Sequence, residues 1–311
     1  VNRNVIQQQH ATLMSITILG LTFSSMQALG VFSTLSVTWP EPLKSILSWM
    51  SIFSFSIEFL QLDCLVGSQP AMKYTFRQLI APAAVPLVSV ILVAKKRFVD
   101  PRLNFKVDMF NTVGTIFQVF FVSIVLSCAV PFICYAHPDG MGFSLLDAPG
   151  LLCYTDGNHI AMMITGIVSF VAIVIPFMTV VAYGTIRYPM LVGQSLMNGE
   201  ALRMYRFLFF RFQPCRYYFG FLLLCRGLAV CLVPIVIRDI AAFQILLTMG
   251  VLSLWLLSHS LLPWKGLAAN IVDASLTAIM NLMLACAGIS TGSQSLDTAV
   301  GIVSSIVVTI F

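Results

Sequence analysis

The chain has 311 residues, 59% of them hydrophobic and only 9% charged, and its formal net charge is +5. Soluble globular domains carry about 25% charged residues, so this composition excludes an ordinary water-soluble globule and implies lipid. The positive charge gathers in short connections rather than on a basic aromatic surface. That excludes a nucleic-acid partner and points to membrane lipid headgroups.

A helical span needs roughly 20 mostly apolar residues. In chain order, such stretches fall near 12–36, 43–63, 75–94, 109–133, 159–186, 217–237, 241–261, 268–289 and 297–311. The fold class this predicts is all-α: a polytopic transmembrane helical bundle of about nine spans, one domain over 1–311. Threading it with the N-terminus outside and the C-terminus inside puts 95–108, 187–216 and 263–267, with Lys44, on the cytoplasmic face. That face then holds 12 of the 17 Lys and Arg, as the positive-inside rule requires. The last stretch is about 22 Å long at ~1.5 Å per residue, short of the roughly 30 Å hydrocarbon core. An outside start without a visible signal peptide, and a short last span, lead us to expect the membrane part of a longer chain.

The first span ends at Trp39-Pro40-Glu41-Pro42, a turn expected at the inner interface. In the second, Ser51, Ser54, Glu58 and Gln61 recur at helical spacing and share one stripe. Pro82 and Pro86 lie in the third, Pro131 late in the fourth, Pro176 in the fifth and Pro234 in the sixth. Each removes an amide donor and bends its helix, which neighbouring helices can accommodate. Between the fourth and fifth spans, the outer loop 134–158 opens at Cys134 and contains Cys153, with Pro and Gly between them. A Cys134–Cys153 disulfide would staple it, and Cys64 is the competing thiol. The inner stretch 187–216 interleaves Arg203, Arg206 and Arg211 with aromatics and runs on to Cys215 and Arg216, so an amphipathic interfacial helix is expected there.

Ionisable groups inside a membrane are costly and usually functional. Arg226 sits mid-way along the sixth span, and Asn270, Asp273, Thr277 and Asn281 form a stripe along the eighth. Arg226 is expected to pair with Glu58 or Asp273. Such a set serves equally as interhelical glue or as the lining of an ion path. No HExxH or zinc-type Cys spacing occurs, and His10, His137, His159 and His259 fall at ends of different spans. No enzyme, metal site or cofactor is expected.

Five segments carry a family resemblance: QALGVFSTLSVTWP at 27–40, SIEFLQLDCL at 56–65, the Cys134…Pro138-Asp139-Gly140…Cys153 frame, RFLFFRFQPCRYYFGFLLLCRGLAV at 206–230, and Pro263-Trp264 followed by Asn270 and Asp273. Together they resemble the C-terminal transmembrane region of large cysteine-rich or EGF-repeat surface proteins of protists, described as transient-receptor-potential-like. The resemblance implies an extracellular N-terminal ectodomain. A channel of that type needs a re-entrant pore segment of about 20 residues between its last two spans, because backbone at that depth must be buried or line water. Here the outer connection is only about 290–296. Two functions are therefore expected. The first is a structural or anchoring domain, associated with other membrane subunits or an ectodomain, in the plasma membrane or an endomembrane. The alternative is a cation channel or transporter module with a path past Glu58, Arg226 and Asp273.

Overall fold

A computed structural model describes residues 3–41, 43–51, 69–137, 142–194, 199–238 and 240–289. It is mostly helical. Long helices are α1 (Arg3–Phe32), α3 (Pro70–Phe98), α6 (Gly157–Ser169), α7 (Ile175–Gln194), α10 (Phe219–Val236), α11 (Ala241–Ser258) and α12 (Leu267–Ile289). Shorter ones are α2 (Leu43–Ser51), α4 (Phe105–Val119), α5 (Phe121–Ala129), α8 (Glu200–Met204) and α9 (Arg206–Phe209). A π-helical turn, Phe170–Val174, joins α6 to α7.

Of the nine spans expected, the described residues show six or seven. Among the described residues, six helices are long and apolar enough to cross a membrane: Ala11–Phe32, Pro70–Phe98, Gly157–Gly193, Phe219–Val236, Ala241–Leu261 and Leu267–Gly288. A seventh crossing results if α4 and the stretch 121–132, bent by 60° at Phe120, count as one. Of the expected second span only the nine-residue α2 is described, and 297–311 lies outside the described residues.

The centre of the bundle is α5, in which every side chain from Phe121 to Ala129 is buried. A helix apolar all round belongs inside a larger bundle, and α1, α6 and α10 pack around it. Close approach is enabled locally by Gly166. A Cβ there would come within 2.8 Å of the Cys128 carbonyl and 3.0 Å of the Tyr74 hydroxyl.

Hydrogen bonds draw the three basic connections together at one end. Asn104 Nδ2 donates to Glu200 at 2.8 Å, and the Phe207 amide donates to Asn111 at 2.9 Å. The Gln213 amide donates to the Pro263 carbonyl, and that of Lys265 to the Arg211 carbonyl. The stretch 199–216 is no free interfacial helix: Phe207, Leu208, Phe209 and Phe212 are buried within the bundle as an aromatic wedge. Apolar rings interleaved with arginines read alike in a sequence whether they face lipid or a neighbouring helix.

At the opposite end stands a three-stranded antiparallel sheet, β1 (Cys134–Ala136), β2 (Phe143–Leu145) and β3 (Ala148–Leu152), so the domain is not purely α. Strands this short carry too little periodicity to show in the sequence. Cys134 pairs with Leu145 in register, and the Cys134–Cys153 disulfide closes the sheet with Cα atoms 6.5 Å apart. Cys64 lies outside the described residues. Beneath the sheet, Tyr74, Leu145, Leu151 and Met162 form a small core. The Tyr74 hydroxyl donates to the Ser127 carbonyl, tying α3 to α5.

The direction expected for α1 is corrected. Its early turns lie beside Gly266 and Arg211, through Met14 and Gly20. Beyond its far end, the Ser36 amide donates to Gln244, whose own Nε2 donates to the Ile237 carbonyl. The chain therefore enters α1 at the basic end and leaves it near the sheet, with Trp39 facing the same cavity as Asp147 and Pro149. Only Arg3 and Lys44 flank this stretch, so the charge count that orients the other connections is silent about it. Glycan acceptors inserted after Thr38 and after Pro149 should behave alike, and opposite to acceptors at Gly199 and Lys265, in a glycosylation-mapping assay. Modification of Thr38 together with Gly199 would overturn this arrangement.

Candidate functional site

The stripe along α12 meets α10, α11 and the turn before it around one carboxylate. Asp273 is 1% exposed. Its Oδ2 accepts from Trp264 Nε1 at 2.9 Å and from His259 Nε2 at 3.0 Å. Its Oδ1 lies 3.5 Å from Trp255 Nε1 and 3.6 Å from Arg226 Nη1, the latter an ion pair. The Arg226 guanidinium also sits over the Trp255 ring, 4.8 Å from its centroid. A guanidinium is weakly hydrated and suits an aromatic face, so the ring supplements the carboxylate in a water-poor setting.

Local structure explains why these groups converge. Trp255 and His259 are four residues apart and therefore neighbours on α11. A 3₁₀ turn, His259–Leu261, ends that helix, and Leu262 turns the chain with φ 48°. Pro263 then blocks helix continuation and delivers Trp264 back under the carboxylate. Asn270 holds the turn, accepting from the Trp264 amide and donating to the Trp264 and Gly266 carbonyls. The Trp264 ring lies 4.4 Å from the Phe212 ring, and the two backbones are bridged. His259 Nδ1 faces the Trp255 carbonyl at 3.0 Å, so both ring nitrogens face acceptors. A doubly protonated ring would satisfy both at once.

Of the residues singled out in the sequence, Arg226 and Asp273 are brought together. Asn281, two turns beyond Asp273, bonds instead to Ser253 and the Thr277 carbonyl. Glu58 and Gln61 lie outside the described residues. Arg206 and Lys265 share the Phe210 ring, at 4.3 and 4.9 Å. Burial, and then the Arg206 charge, lower the Lys265 pKa. Arg211 packs against Gly20 of α1, where burial lowers its pKa, and Arg216 is half-buried in a 3₁₀ turn. Trp255, His259 and Trp264 were not singled out as Asp273 partners. Their spacing on and after α11 was the available signal, but only the left-handed turn at Leu262 folds Trp264 onto Asp273.

At the sheet end, the ligand atoms of Cys134, Cys153 and His159 lie within 4.8 Å of one another. The two sulfurs are bonded to each other, however. His159 is fully engaged as well, accepting from the Tyr154 amide at Nδ1 and donating from Nε2 to the Pro131 carbonyl. This cluster is a staple rather than a metal centre.

No protein-family model, curated protein or solved structure matches the chain.

The cluster predicts an order of stability losses. Asp273→Ala leaves the Arg226 charge buried without its partner and should cost about 3–5 kcal/mol. Trp264→Phe keeps the ring but removes one donor and should cost about 1 kcal/mol. Reversible unfolding in mixed micelles measures both. Equal losses, or a larger loss for Trp264→Phe, would show that Asp273 does not organise the site.

Proposed function

We propose that this chain is an integral membrane structural domain: it anchors a larger surface protein or holds a subunit position in a membrane assembly. The supporting observation is how Arg226 and Asp273 are spent. Ionisable groups in a conduction path face water and exchange partners as the cargo moves. Here Asp273 meets Trp264, His259, Trp255 and Arg226 at once, and three of those four partners come from other elements of the bundle. The cavities under the sheet and beside α3 are lined by neither Arg226 nor Asp273. We read the polar stripe as interhelical glue and assign the domain no enzymatic step.

The partners in this reading are membrane lipid and other membrane-embedded or surface subunits, in the plasma membrane or an endomembrane. The likeness to the transient-receptor-potential-like region of protist surface proteins supports a large attached ectodomain. Because α1 begins at the basic end, an ectodomain upstream of residue 1 and on the sheet side requires one more crossing. Purified protein in liposomes should pass Na⁺, K⁺ and Ca²⁺ no faster than empty liposomes, measured by ion-sensitive dyes and planar-bilayer recording. A cation current that Asp273→Asn abolishes would replace this reading with the channel one.

A further inference from the structure

Three departures from regular helix converge beside α3. Pro82 and Pro86 interrupt its amide ladder, α4 and α5 are bent by 60° at Phe120, and the π-helical turn lies at Phe170–Val174. π-turns within α-helices are rare and frequently mark functional sites. Ala84, Phe117, Phe120 and Ile173, one or more from each departure, line a shared cleft of about 130 Å³. Small side chains on α3 and displaced backbone on the other two elements leave the gap open. Ile80, also on its wall, is 38% exposed, so the cleft is reachable from the surface that α3 presents to lipid.

The sheet-side end of this cleft is polar. Gln78 is anchored there by donating to the Ser127 carbonyl at 3.0 Å. Beside it lies Arg77, whose side chain is only 3% exposed and forms an ion pair with Asp147, in the turn between β2 and β3, at 3.6 Å. Arg77 lines the cleft and also a second cavity, of about 740 Å³, bounded by Thr38, Trp39, Lys44, Ser48 and Asp147. Among the described residues, no other lines both. The larger cavity falls within the range of about 300–1,000 Å³ seen for ligand sites. The smaller one is close to the ~150 Å³ apolar cavity that admits benzene, room for a segment of one hydrocarbon chain but no bulkier body.

We propose that this paired cavity binds a single-chain acyl carboxylate, a fatty acid drawn from the bilayer. The chain lies in the cleft between α3 and the α4–α5 bend, and the carboxylate meets Arg77 below the sheet. Three points select that ligand. The cleft is apolar and opens towards lipid, so the occupant arrives from the membrane. Its volume takes one chain rather than two. The buried cation at its end already pairs with a carboxylate, that of Asp147, so the position suits a carboxylate group. Lys44 at the rim of the larger cavity adds a second positive charge. The proposal does not depend on the anchoring role.

The test uses the full chain in nanodiscs with a palmitic acid probe bearing a diazirine and an alkyne, followed by peptide mapping. Labelling should concentrate on 70–98 and 105–132, and unlabelled palmitate should compete where methyl palmitate does not. Ala84→Phe fills the cleft and Arg77→Gln removes the cation; each should weaken labelling at least about fivefold, whereas Arg77→Lys retains it. Intactness of the Cys134–Cys153 bond, and Ala84→Phe as a variant outside the ion pair, separate loss of binding from loss of fold. Labelling spread evenly over α6, α10 and α11, labelling unchanged by Ala84→Phe, or equal competition by the methyl ester would each overturn the proposal.

Discussion

A carboxylate buried in an apolar bundle must find its partners inside the protein, because lipid offers none. Asp273 imposes that demand, and the basic end of the molecule is arranged to meet it. The left-handed turn at Leu262 folds Trp264 under the carboxylate, and Trp264 carries Phe212 with it through stacking and backbone pairing. Phe212 and Trp264 are packed with Leu21 of α1, so the first helix is held by the same cluster. A single acidic residue on α12 thereby links α1, α10, α11 and the 199–216 wedge. Apolar packing alone discriminates poorly between helix faces when lipid is as apolar as the core, and polar contacts supply register.

The sheet end is secured by different means. The disulfide closes a loop of about 20 residues, worth ~3 kcal/mol in the chain-entropy view. Tyr74, Gln78 and Arg77 of α3 reach respectively to the Ser127 carbonyl, the Ser127 hydroxyl and Asp147. His159 locks the chain after β3 by accepting from Tyr154, whose φ of 68° is unusual for a bulky residue. Between the two ends, the fully buried α5 supplies the apolar axis around which α1, α6 and α10 pack. Polar groups work at the ends and apolar ones in the middle.

Much of this was legible in the sequence where a strong local rule applied. Spans over α3, α6–α7, α10, α11 and α12 follow from hydropathy, because long apolar runs have few alternatives in water or lipid. Cys134 and Cys153 were readable from their turn-rich spacing. Arg226 and Asp273 stood out because charges in spans are costly, although their pairing with each other needed three dimensions. Other features were hidden for identifiable reasons. The three-residue strands β1 and β2 carry no period, and α1 lies in a charge-poor stretch that leaves its direction unmarked. Phe120 breaks the α4–α5 helix without a proline to announce it. The Trp255, His259 and Trp264 shell depends on a turn geometry that Leu262, a residue with no preference for positive φ, does not advertise.

The account stands on the mutual dependence of Arg226 and Asp273. A double-mutant cycle with Arg226→Met and Asp273→Leu, read by reversible unfolding in mixed micelles, measures it directly. Asp273→Leu alone strands the Arg226 charge, whereas the double change removes both, so the double variant should be more stable than Asp273→Leu alone, with a coupling energy of about 2 kcal/mol or more. Additive losses, with the double variant the least stable of the three, would show that the pair does not hold the bundle together.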